Sequence, residues 1–251
     1  MIPPISEFYH RHALEETTST NEIARQLAER GAPEGTLVTA RRQTGGRGRR
    51  GNAWSSPPGN LYLSLVLRPQ VPAQRAAQLS FVTALAVGGL VRSRTSDRTV
   101  ALKWPNDVMV HDRKISGILL EAGPLSEKHP SWIVVGVGIN VRETPRTSQD
   151  ATALAALGDP EPDPEAVLND FKRLFHDEYD KWIRQGFEPV REAWLRWAYR
   201  RGQTVRINLR NETFEAIFDG IDETGALLAK LPDGKITTVS GGEVHFDLPE
   251  P

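Results

Sequence analysis

"NLYLSLVL", residues 60–67, is the stretch that decides the kind of fold. Leu61, Leu63, Leu65 and Leu67 alternate with Asn60, Tyr62, Ser64 and Val66, the period of two that sends successive side chains to opposite faces of a sheet. The pattern predicts a strand with one core face. Downstream, "AAQLSFVTALAVGGLVRSR" (76–94) is apolar nearly all round, as a buried helix is. "VALKW", "DVMVHDRK", "ISGILLEAG" and "WIVVGVGINV" then read as four strand-like segments joined by short polar turns. Upstream, "TTSTNEIARQLAERG" (17–31) reads as a helix: Ser19 and Glu22 have capping-box spacing, and Ile23, Ala24, Leu27 and Ala28 form one stripe. "GTLVTARR" (35–42) is a strand that runs into a loop rich in arginine and glycine.

After a Pro- and Asp-rich connection near 143–165, two helices are expected over about Pro164–Gln185 and Pro189–Tyr199. Beyond Gly202 every segment is β-like, with a Pro-Asp-Gly turn at 232–234, which suggests a small barrel. The expected division is 1–200 and 201–251.

The formal net charge of −1 supplies no global field for DNA or membrane, so a basic site has to be local. No cysteine is present, which excludes disulfides and thiolate metal sites and agrees with a cytoplasmic setting. No signal peptide and no uncharged run of membrane-spanning length stand out, so no membrane partner is expected.

The local cations sit in "RRQTGGRGRRGNAW" (41–54). Gly45, Gly46, Gly48 and Gly51 let backbone N–H groups approach an anion, and Arg47, Arg49 and Arg50 add planar, always-charged donors. A plain turn needs fewer glycines, and three neighbouring arginines repel one another unless an anion sits among them. A phosphate-binding P-loop is excluded because no Gly-Lys-Ser/Thr follows. "KWPNDVMV" places Lys103 before a turn at Pro105, Asn106 and Asp107, which on its own is as much a hairpin corner as a site. Lys114 stands at a strand start near Gly117, where a lysine is commonly just a soluble edge residue. Gly136 and Gly138 weaken a strand that should be buried, so they mark either a bulge or the close approach of a flat group, with Asn140 at the strand exit. Ser19, Thr20 and Asn21 cap a helix or line a polar ligand at its free N–H groups.

Taken in order, "STN", "QTGGRGRRGNAW", "NLYLSL", "LKWPNDV", "DRKISGILLE", "GVGIN" and "GGEVHF" resemble the biotin protein ligases over nearly the whole chain. Each piece alone is common; their combination at these separations is specific. The resemblance implies an α+β fold, a mixed sheet flanked by helices of the class II synthetase/biotin ligase type, followed by an SH3-like β barrel. It implies ATP and biotin as substrates, Mg²⁺ as helper, and a biotinyl-5′-AMP intermediate whose acyl group passes to a lysine of a biotin carboxyl carrier protein. By the same resemblance, Lys114 and Arg49 are the catalytic candidates. Biotin falls to Ser19, Thr20, Asn21, Gln43, Gly46, Arg47, Lys114, Gly117, Gly136 and Gly138. ATP and the adenylate fall to Arg47, Arg49, Arg50, Trp54, Asn106, Asp107, Lys114 and Asn140, with Asp107 also the candidate metal ligand. Trp54 is expected to stack on or shield the adenine, and the arginine loop, loose without ligand, to fold down over the intermediate.

The sequence departs from the pattern at Thr18, where many relatives carry an acid, and at Asn52, which interrupts the run of bases. The monofunctional type, without an N-terminal DNA-binding domain, is expected, and hence no DNA binding. A homodimer is compatible with the resemblance, with "WIVVGVGINV" offering an edge for side-by-side pairing. The alternatives are lipoate or octanoyl transfer, which shares the fold but lacks this loop, and a phosphate- or nucleic-acid-binding module. The latter requires a broad basic surface, whereas "FEAIFDGIDETG" in the barrel carries balanced charge.

Overall fold

The computed structural model describes residues 2–95, 99–126, 129–144, 150–159, 161–209 and 212–245. In chain order, α1 is Ile5–Phe8, β1 His10–Thr17, α2 Thr20–Glu29, β2 Thr36–Gln43, β3 Leu61–Leu67, α3 Ala73–Ala76 and α4 Leu79–Arg94. Then come β4 Val100–Lys103, β5 Asp107–Val110, β6 Arg113–Ala122, the short pair β7 Leu125–Ser126 and β8 His129–Pro130, and β9 Ile133–Ile139. α5 is Pro164–Gln185 and α6 Glu188–Arg196, and the second sheet comprises β10 Thr204–Asn208, β11 Thr213–Ile221, β12 Leu227–Lys230, β13 Ile236–Val239 and β14 Glu243–His245.

The main sheet has seven strands in the order β1-β2-β3-β9-β6-β5-β4. β1 runs parallel to β2, and all other neighbours are antiparallel. Its leucine face, including Leu63 and Leu65 at 0% exposure, packs against α4 and α5 in one continuous core. Truncating either leucine to alanine would cost about 2–5 kcal/mol. The other face is covered as well: Val66 and Val134 meet Ala24 and Ala28 of α2, so β3 is buried at every position rather than on one face. Alternation between leucine and small or polar residues therefore marks two differently covered faces, not core against solvent.

Ala73–Arg94 is, by length and composition, apolar enough to cross a membrane, although Arg75 and Arg92 bound its uncharged run, and 78% of its apolar window is buried inside the protein. It is the central core helix. β9 pairs with β3 on one side and β6 on the other without a register break. That overturns both the bulge reading of its glycines and its use as a dimer edge: β9 has no open edge.

The outer edge of β4 is covered by the chain leaving α6: Leu102 N–H donates to Trp197 O (2.7 Å) and Tyr199 N–H to Leu102 O (2.9 Å). The second sheet, ordered β13-β12-β11-β10-β14, is wholly antiparallel and has the strand arrangement of a small SH3-like barrel. Its core joins that of the main body, with Phe218 meeting Trp194 edge-on at 6.4 Å.

Candidate functional site

On the α2 face of the main sheet, side chains in one cross-strand row share a face. Tyr62 pairs with Gly138, Gly138 with Gly117, Gly117 with Asp107 and Asp107 with Lys103. Two glycines in the middle of this row, with Gly136 two residues along, carve a cavity of about 830 Å³. Its walls are the 43–56 loop, the N-terminus of α2, the 103–107 turn, Lys114, Asn140 and, from the second sheet's end, Gly242. Every candidate named from the sequence except Arg50 lines it.

The glycines are needed where they stand. A Cβ on Gly138 would lie 2.5 Å from the Trp54 indole, and one on Gly117 3.0 Å from it. A Cβ on Gly136 would collide with the Asn21 carboxamide, and one on Gly46 with Trp54 O and Ser56 Oγ. The flat groups lying on the β9 backbone are thus the chain's own Trp54 and Asn21.

At the α2 end a polar network is held in place. Gln43 Oε1 accepts from Thr20 N–H (2.8 Å) and Thr20 Oγ1 (3.0 Å), and its Nε2 donates to Ser56 Oγ (2.9 Å). Ser64 Oγ lies 2.6 Å from Asn21 Oδ1 and 2.8 Å from Thr20 Oγ1, and Asn21 Nδ2 donates to Glu121 Oε2 at 2.7 Å. The capping box expected at Ser19 does not form: Ser19 is the N-cap but makes no side-chain cap bond. Glu22, the other half of the box, is turned to Arg25, Gln26 and Arg47, while Gln43 separately accepts from the first helical N–H, that of Thr20. Ser19 is buried on the cavity wall instead.

At the opposite end Lys114 Nζ lies 2.7 Å from Asp107 Oδ1, an ion pair whose side chains are only 19% and 16% exposed. In an unbroken strand, residues 114 and 117 would face opposite ways. A bulge at Ile115 (Val108 pairs with Ser116, Met109 with Lys114) brings Lys114 to the Gly117 side. Its ammonium also lies 5.4 Å from the Trp54 ring centroid. Asn106 Nδ2 donates to Ile118 O (2.7 Å) and its Oδ1 accepts from Arg49 at 3.3 Å. Asn140 Nδ2 donates to Thr152 O (3.0 Å), while its buried Oδ1 has no partner among the described residues.

The arginine loop is tied down rather than loose. Arg47 lies 3.4 Å from Glu22 and 3.9 Å from Glu121, and pairs across the loop with Ala53. A 3₁₀ turn spans Arg49–Gly51, with Arg50 at a φ of 54°. Asp107, the expected metal ligand, stands alone among the described residues in this part of the cavity. It is a lone carboxylate with one oxygen facing Lys114, and no cluster of three acidic or histidine side chains occurs among the described residues. Any Mg²⁺ would depend on ligands brought by a nucleotide.

Ser56, Ser64, Glu121 and Gly242 join or support the site without having been assigned to it from the sequence, and Lys103, weighed there only as part of a turn, lines it too. Of these only Ser64, the one small polar residue in strand β3, left a signal there. Glu121 lies in a strand tail and Ser56 in a loop, where polar residues are routine.

Residues 13–140 match the biotin/lipoate A/B protein ligase family, and residues 202–247 match the biotin protein ligase C-terminal domain. The chain is 38% identical over 248 residues to the biotin–[acetyl-CoA-carboxylase] ligase of Paracoccus denitrificans, covering 93% of this chain and 99% of that protein. It is 35% identical over 223 residues to the bifunctional ligase/repressor BirA of Bacillus subtilis, covering 86% and 68% of the two chains. Among solved structures, the biotin protein ligase of Aquifex aeolicus in complex with biotin and ATP superposes with a TM-score of 0.80 at 31% identity, over 94% of this chain and 98% of that one. With a cavity of this construction and matches across both parts of the chain, the protein belongs to the biotin/lipoate A/B protein ligase family, as a biotin protein ligase.

Proposed function

We propose that the protein joins biotin to ATP, forming biotinyl-5′-AMP and pyrophosphate, and transfers the biotinyl group to one lysine of a biotin carboxyl carrier domain. The observation that carries this reading is one cavity with two unlike ends: a rigid neutral hydrogen-bonding network at Thr20, Gln43 and Ser64, and an ammonium and guanidinium end at Lys114 and Arg49.

Biotin's ureido group is flat and neutral, with donors and an acceptor that suit the first end. Its carboxylate and the α-phosphate are both anionic, so their approach needs fixed positive charge at the second. Lys114 neutralises the carboxylate and the phosphate as they meet; Asp107 holds its ammonium aimed into the cavity. The carboxylate oxygen attacks the α-phosphorus and pyrophosphate leaves. The carrier's ε-amine then attacks the acyl carbon, AMP departs, and the amine's proton passes to solvent or to the AMP phosphate. Arg49, anchored on Asn106, holds the loop across the adenylate and keeps water from the anhydride. A homodimer would have to form elsewhere than at β9.

The test is incubation of the purified protein with biotin, ATP and an unmodified carrier domain, read by intact mass. Addition of one biotinyl group to one lysine, only with ATP, is expected. No mass change, or ATP-independent addition, rejects the reading.

A further inference from the structure

The hairpin that delivers Lys114 has an unusual tip. His111 and Asp112, the two residues between β5 and β6, have φ of 48° and 62°, the left-handed pair of a tight hairpin turn where glycine or asparagine is ordinarily placed. Asp112 has another employment. Its Oδ1 accepts from Tyr199 O–H at 2.6 Å and its Oδ2 lies 3.0 Å from Arg200. Arg200 is itself a non-glycine residue at positive φ, 53°, in the segment that leads into the second sheet. Two residues in a disfavoured backbone region therefore grip each other across the junction between the two parts of the chain. Such geometry persists only where surrounding contacts enforce it.

The grip is reinforced from two sides. The 197–199 backbone extends the sheet beyond β4. At the other end of the same strands, Trp104 Nε1 donates to Gly225 O at 3.0 Å inside the protein. Gly225 sits in a turn fixed by Asp222 Oδ1, which accepts from Thr224 N, Thr224 Oγ1 and Ala226 N. A Cβ on Gly225 would lie 2.5 Å from the Phe81 ring, so the turn is fitted to its seat. The second sheet, through its 222–226 turn, and the 197–200 segment that leads into it thus touch the β4–β6 strands at the two ends of the stretch that carries Lys103, Asp107 and Lys114.

We propose that Asp112 is a positioning residue: with Tyr199 and Arg200 it lets the C-terminal β module set the place of Lys114, and so the ATP end of the cavity. This rests on the adenylation reading above. The half-exposed Asp112–Arg200 ion pair adds little stability by itself. What it fixes is geometry, and a displacement of the order of an ångström at a reacting group costs up to about a hundredfold in rate.

Asp112→Gly separates folding from positioning, because glycine accepts the positive φ while removing the carboxylate. In biotin-dependent ATP–pyrophosphate exchange, this variant should lose about ten- to a hundredfold in kcat/KM for ATP, with the biotin KM within about twofold. Its Tm should stay within about 4 °C of the parent. Asp112→Asn, which tolerates positive φ and keeps a carbonyl oxygen for the Tyr199 hydroxyl but turns an NH₂ group toward Arg200, should recover part of that loss. Tyr199→Phe, lacking only the hydroxyl, should fall between them. Wild-type ATP kinetics in Asp112→Gly, or a biotin KM that rises in step with that for ATP, overturns the positioning role and leaves adenylation standing. A wild-type protein without biotin-dependent exchange overturns adenylation, and the positioning role with it.

Discussion

Lys114 and Asp107 come from opposite arms of one hairpin and meet at 2.7 Å only because β6 carries an extra residue at Ile115. Removing that ammonium should therefore act on chemistry more than on folding. Lys114→Ala is expected to lower the adenylation rate by about 10²–10³-fold, the scale of losing one preorganised donor at a reacting centre. Thermal melting alongside single-turnover kinetics checks it; a variant that adenylates normally denies Lys114 its role.

Arg49 reaches Asn106 from the loop side of the cavity, residues 45–52. Arg49→Ala should release biotinyl-5′-AMP, so that bystander proteins become labelled on surface lysines while the carrier domain is labelled more slowly. Chromatographic assay of free adenylate in single turnover is the check, and an absence of leakage contradicts it.

Gly138 has the Trp54 indole against its backbone. Gly138→Ala should force Trp54 to move, at a cost of about 1–3 kcal/mol as for other overpacked sites. Because Trp54 also faces Lys114, biotin affinity should fall in the same variant. Calorimetric titration with biotin and a denaturant melt measure the two effects; unchanged values in both mean the contact is not rigid.

Three carboxyl groups are held below their ordinary range. Tyr199 and then Arg200 act on Asp112, Arg11 on Glu165, and Arg25 and then Gln26 on Glu22. Each prefers to be ionised in the folded state, so its contribution is present above the unfolded value of about 4 and is lost as pH falls through the lower folded value. Tm should hold between about pH 7 and 5 and drop in acid. The difference between wild type and Asp112→Asn should shrink as pH falls, because both then carry a neutral side chain; a difference that persists at the acid end is the contrary result.

β3 and α5 could be read from their apolar periodicity and α4 and β9 from unbroken apolar runs, because both patterns are dictated by burial. β1 could not. "HRHALEET" is charged and mostly exposed at the sheet margin, and it is a strand only because β2 offers it a parallel ladder. The motif residues converged on one cavity, since a turn, a loop and a glycine-spaced strand each announce themselves locally. Their mutual roles were less legible. Ser19 makes no cap bond, its box partner Glu22 being drawn to Arg25 and Arg47, and Lys114 reaches the cavity through a bulge that alternation cannot reveal.

The most direct measurement is ATP–pyrophosphate exchange by the purified protein, with biotin present and absent, in wild type and in Lys114→Ala. Exchange that appears only with biotin and collapses in the variant is expected. Exchange indifferent to biotin, or undiminished without the Lys114 ammonium, contradicts the claim that this cavity brings two anions together.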